Sequence, residues 1–215
     1  MTINEKEIGQ KLLDLTKNPN DPSLLYDLER IAQQLYNPEL AVPDIEALIK
    51  QCNITLSFEN EMTYVPPFFC IGNYLTDKSG SDIYISSRVS KGTRRYAEAY
   101  LLAFHFMAMT GEIEDDIFEL YSGHFLPKNK VEFVAEVFAR MLLMPCEVLI
   151  ARINEFLRIC IDKKDIASEG NLISHLSERF LLNVEVSHVS KRLLTLSSTH
   201  SLEFLDNELV AFFMT

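Results

Sequence analysis

Between Tyr96 and Met109 the chain is apolar almost all the way round a helix, with only Glu98 and His105 breaking the pattern. A helix of that kind has no face to give to water, so it must be an interior element with other segments wrapped around it. Ser90 before it suits an N-cap and Gly111 after it a C-cap. A length of 215 residues with 47% hydrophobic content and 14 Phe is enough to build such a shell, as one domain with an appendage or as two small ones.

The shell is legible as a series of short elements. Residues 4–17 and 23–36 carry apolar positions at helical spacing, separated by Asn18-Pro-Asn-Asp-Pro22, and predict a helical hairpin. Pro43 opens a third helix, with Asp44 and Glu46 in its first turn, that ends near Cys52-Asn53. Three strands are expected at 54–58, 68–75 and 82–86, the last two joined by the turn-forming run Thr76 to Ser81, giving a small antiparallel or mixed sheet. Helices are expected at 129–143, stopped by Pro145, at 146–161, and as a pair over 170–197. The tail from 202 to 213 fits a strand or a short helix. The fold class expected is α+β, mostly helical. Its divisions are a helical hairpin at 1–40, a central domain at 41–165 and a C-terminal helical segment at 166–215.

Arg95-Tyr-Ala-Glu-Ala-Tyr-Leu-Leu-Ala-Phe-His-Phe-Met107 resembles the metal-binding helix of the ImmA/IrrE family of zinc peptidases, which reads roughly R-F-T-L-A-H-E-L-G-H-Y-L-L. On that frame Tyr100 and Phe104 stand at the two zinc-binding histidines and Leu101 at the glutamate that activates water. Asp82 to Ser87 resembles the family's I-x-I-N strand, and Ile71 to Tyr74 its glycine-aromatic strand. Val131 to Pro145 is similar to the E-x-x-A-N-x-F-A-x-x-L-L-M-P block and puts Glu132 at the third ligand. Leu176 to Phe180, Val184 and Arg192-Leu193 resemble the terminal helix-turn-helix, with a turn about two residues longer. The likeness spans roughly residues 45–195; residues 1–40 match nothing in it. It implies a zincin-like core with helix-turn-helix-like C-terminal helices.

Hydrolysis at a single zinc needs three protein ligands, an open position for water and a base. Only Glu132 remains. Phe104, four residues after Tyr100, shares its helix face and would fill the volume of the ion. The purified chain is therefore expected to hold no stoichiometric zinc, to need no cofactor and not to hydrolyse protein. Glu132, without a metal, is expected to meet the Tyr100 hydroxyl or a water. A rearranged metallopeptidase site can be drawn from Glu98, His105, His124 and Glu132, but His105 lies about 100° further round the helix and points away from Glu132. The plainer reading is a partly buried histidine bonded to backbone or to Glu98. Glu136 and Arg140 read as a surface i, i+4 pair contributing about 0.3 kcal/mol. Cys52, Cys70, Cys146 and Cys160 are widely spaced, which argues for buried thiols and against a structural zinc knot.

A net charge of −11 argues against a surface built to grip phosphate, and residues 170–200 hold only Arg179, Lys191 and Arg192 as bases. A DNA-binding regulator is accordingly the weaker alternative. Family members act on helix-turn-helix repressors, often in mobile elements or stress responses. The resemblance thus implies a non-catalytic protein of transcription regulation that binds such a repressor as protein partner. Glu112, Glu114, Asp115, Asp116 and Glu119 form the candidate docking patch, although a solvated face or loop is the simpler reading. No run approaches 18 apolar residues and the start lacks a basic and an apolar leader region, so no membrane partner and a cytoplasmic location are expected.

Overall fold

Ser90 Oγ accepts the Thr93 amide at 3.1 Å and starts helix α4, Lys91–Ala108. Every residue from Tyr96 to Met107 in it is buried, as its all-round apolar pattern requires. The computed structural model describes residues 3–19, 21, 23–36, 42–60, 64–65, 68–77, 79–113, 117–121, 129–163, 168–182 and 186–199. Glu114, Asp115, Asp116, His124 and the tail beyond 199 lie outside the described residues.

Three helices precede the sheet: α1 (Glu5–Lys17), α2 (Leu24–Leu35) and α3 (Ile45–Gln51). Asp44 caps α3 by accepting the Ala47 amide at 3.0 Å. α1 lies directly on α4, and Gly9 makes this possible. A Cβ there would come within 1.8 Å of the Phe106 carbonyl oxygen.

The sheet is mixed. β1 (Thr55–Glu59) runs parallel to β4 (Gly80–Ser86), and β3 (Phe68–Asp77) lies antiparallel beside β4. The β3–β4 turn is held by Asp77 Oδ1, which accepts the amides of Ser79 at 2.6 Å and Gly80 at 3.2 Å. The expectation of three strands is corrected by two more: a short β2 (Tyr64–Val65) and β5 (Ile117–Tyr121), both antiparallel to β3. β5 falls at the end of the acidic run that read as a solvated face or loop. There Phe118 and Leu120 alternate with the exposed Glu119, a strand pattern hidden by the acids before it. Gly72 of β3 lets the sheet approach α4, where a Cβ would sit 3.1 Å from Leu101 Cδ1.

α5 (Lys130–Leu143), α6 (Cys146–Lys163), α7 (Glu169–Arg179) and α8 (Val186–Thr199) complete the α+β fold. One buried cluster joins Leu12 and Leu28 of the first hairpin, α4, α5, and Leu176, Val189 and Leu196 of the last two helices. Among the described residues no helix is long and apolar enough to cross a membrane.

Candidate functional site

α4 and α5 pack against each other, and α4 also packs on β3, β4 and β5; Tyr100, Leu101 and Phe104 lie on α4 and Glu132 on α5. Leu101 is fully buried beneath Gly72, and Phe104 is 2% exposed. The Phe104 ring stacks on Phe118 of β5 at 4.3 Å between centroids and meets Tyr100 edge-on at 5.0 Å. Tyr100 in turn stacks with Tyr96 at 6.0 Å, and Tyr96 with His188 of α8 at 3.7 Å. Positions 96, 100 and 104 recur every four residues, so one face of α4 carries an aromatic column that is capped by α8 at one end and β5 at the other.

The residues at these positions do not fit a zinc ion. The two positions that the resemblance would make histidine ligands, Tyr100 and Phe104, are aromatic rings packed edge-on against each other. Burial first, then the charges of Glu132 and Glu136, push the Tyr100 phenol far up, so it stays protonated. Glu132 is half-buried in the first turn of α5, its amide donating to Asn129 Oδ1 at 2.8 Å.

Glu136 and Arg140 are not the surface pair expected. Arg140 is buried, and Glu136 Oε1 accepts from Arg140 at 2.5 Å and from Lys191 of α8 at 2.7 Å. Burial would raise the Glu136 carboxyl, but the two cations outweigh it and hold it below the usual range. A second buried ion pair joins Arg192 of α8, 0% exposed, to Glu29 of α2. Arg192 Nε also donates to the Met144 carbonyl at 3.0 Å, while the other Glu29 oxygen accepts the Cys146 amide at 3.0 Å at the start of α6. Glu29 has no distinguishing signal in sequence beyond a charge on the apolar side of an amphipathic helix. Arg179 pairs with Glu155 at 2.5 Å. The three bases Arg179, Lys191 and Arg192 of α7 and α8 are thus tied to carboxylates.

His105 is 2% exposed, and its partners correct the expected bond to backbone or Glu98. Its Nε2 lies 3.0 Å from Glu5 Oε2 of α1, and its Nδ1 3.2 Å from the Tyr74 hydroxyl of β3. The drawn set of Glu98, His105, His124 and Glu132 is not brought together among the described residues: His105 turns to α1 and Glu132 to the aromatic column. Glu98 is 1% exposed with no hydrogen-bond partner for Oε1 among the described residues. Burial, reinforced by Glu46 and opposed by Arg95 and Arg94, raises its carboxyl to about 7. Its neighbourhood is a shallow pocket of about 470 Å³ at the start of α4 that includes Lys91, Arg94, Arg95 and Glu46.

Of the acidic patch, Glu112 and Glu119 are exposed. Glu119 Oε2 accepts the Tyr121 hydroxyl at 2.8 Å along β5. Cys52, Cys70, Cys146 and Cys160 are all buried free thiols, as expected. In comparisons with known proteins, no family model matches the chain and no curated relative matches it.

Proposed function

We propose that this chain is a non-catalytic, zincin-like interaction protein, related to the ImmA/IrrE peptidases, that regulates transcription by binding a helix-turn-helix repressor. The observation that supports the loss of catalysis is the aromatic column through Tyr96, Tyr100 and Phe104, closed by Phe118 where a catalytic site would need an open cavity. A packed stack of rings leaves no place for a water, an ion or a scissile peptide. Binding through acidic surface is favoured by the net charge of −11, by the exposed Glu112 after α4 and by the exposed Glu119 on β5. Direct DNA binding is disfavoured because Arg179, Lys191 and Arg192 are engaged by Glu155, Glu136 and Glu29.

The test is binding of the full chain to purified helix-turn-helix repressors across a salt series. The reading expects an affinity that falls as salt rises and that drops further in a Glu112→Lys, Glu119→Lys double variant. Retention of DNA alone, or of a small molecule alone, would leave the fold standing and remove the function.

A further inference from the structure

His105 is separated from Phe104 by one step round α4, and that step carries it out of the aromatic column into a different cluster. One donor atom from each of His105, Glu5 and Cys52 lies within 4.8 Å of the other two, and Nε2 of the ring faces Glu5 Oε2 at 3.0 Å. The three come from separate elements: the first turn of α1, the last turn of α4 and the C-cap of α3. Cys52 and His105 are buried, while the Glu5 side chain is 21% exposed. We propose that Glu5, Cys52 and His105 are the protein ligands of one divalent transition-metal ion of the zinc class.

Four observations carry this. The donor set is one thiolate, one imidazole and one carboxylate, each a usual zinc ligand, and three such donors leave a fourth tetrahedral position for water at the Glu5 side. Around a tetrahedral zinc such donors stand about 3.3 to 3.6 Å apart. Closing a pair from 4.8 Å therefore takes a shift of about 1.2 to 1.5 Å, and because Glu5 and His105 already stand 3.0 Å apart it falls on the Cys52 thiol. A dication with one thiolate and one carboxylate is neutral overall, so a nearly buried ion there leaves no uncompensated charge.

The outer shell is also in place. His105 Nδ1 meets the Tyr74 hydroxyl at 3.2 Å, Tyr74 meets Ser81 Oγ at 3.2 Å, Ser81 meets Thr76 Oγ1 at 3.2 Å, and Thr76 donates to the Gly80 carbonyl at 3.5 Å. Without an ion, Nε2–H donates to Glu5 and Nδ1 accepts from Tyr74. With an ion on Nε2 the ring proton sits on Nδ1 and donates to Tyr74, whose own proton turns to Ser81, then Ser81 to Thr76, ending on the backbone carbonyl. The chain of hydroxyls accommodates either tautomer, as a second shell that orients a ligating histidine must. The protons balance: the imidazole keeps one, the Cys52 thiol loses one to solvent, and each ion bound releases one proton. The ion would tie α1 to α3 and α4 at the contact that Gly9 makes close. The expectation that the purified chain holds no stoichiometric zinc rests on Tyr100, Leu101 and Phe104 alone; this proposal replaces it with one ion held by Glu5, Cys52 and His105 and none at Glu132.

The test titrates cobalt(II) into the reduced full chain, freed of metal with a chelator, followed by zinc(II). The expected result is one equivalent bound, a thiolate-to-cobalt charge-transfer band, release of one proton per ion, and displacement by zinc. Cys52→Ser should abolish the band. Glu5→Gln, at a part-exposed position that leaves folding intact, should keep the band but weaken affinity by about tenfold or more. Cys70→Ser should change neither. Uptake without a thiolate band, equal uptake by Glu5→Gln, no uptake by the folded wild-type chain, or zinc retained in Cys52→Ser and lost in Glu132→Ala would each overturn the site.

Discussion

At the scale of single residues, Phe104 decides how the contact between α4 and β5 is filled. Its ring stacks on Phe118 and meets Tyr100 edge-on, with almost no exposure. Phe104→Ala should cost about 3 to 5 kcal/mol through lost packing and the cavity left behind. Urea midpoints of the two proteins check this, and a loss below about 1 kcal/mol would mean that the ring does not fill a closed site. Glu98 gives a prediction in pH. Its carboxyl has an ordinary value near 4.5 in the unfolded chain and about 7 when folded, so the folded state holds the proton more firmly. Stability from this group is full below pH 4.5 and is lost as pH rises through 7, a difference of roughly 3 kcal/mol at pH 8. Glu98→Gln should therefore match the wild-type protein near pH 4 and exceed it by up to about 3 kcal/mol at pH 8. Equal stability of the two at both pH values, by denaturant unfolding, would contradict the burial of an unpaired carboxyl. The positions of Tyr100, Leu101 and Phe104 were readable from spacing on one helix. The partners of His105 were not, because Glu5, Cys52 and Tyr74 lie on three other elements and nothing in local sequence brings them together.

At the scale of elements, the helices were the legible part. α1 to α8 begin and end close to where apolar spacing, caps and prolines placed them, since each carries its own start and stop signals. β5 was missed for a physical reason: Phe118 and Leu120 supply the inward positions, but five acids precede or interrupt them, and composition outweighed alternation. The burial of Glu29, Glu136, Arg140 and Arg192 could not be read either, because a charge pattern on a helix does not say which other helix covers it. The α1–α4 contact yields a prediction at this scale. Gly9→Ala gains about 1 kcal/mol of helix propensity, but its Cβ would meet the Phe106 carbonyl, and overpacking against backbone outweighs that gain. A net destabilisation of about 1 to 2 kcal/mol is expected, with α1 amides losing hydrogen-exchange protection first. A more stable Gly9→Ala protein would show that α1 does not sit on α4 this closely.

For the whole molecule, a buried helix carries an aromatic column along one face within a chain of net charge −11. The proposed function rests on the reading that α4 and α5 have the frame of a zinc peptidase beneath that column. Its most direct measurement is the zinc content, after dialysis, of a folded Tyr100→His, Leu101→Glu, Phe104→His variant made in a Cys52→Ser background. Three ligands, with Glu132, and a base would then stand on the old frame. The account predicts one equivalent of zinc that is lost on adding Glu132→Ala. A folded variant that takes up none, or whose zinc is indifferent to Glu132, would contradict it.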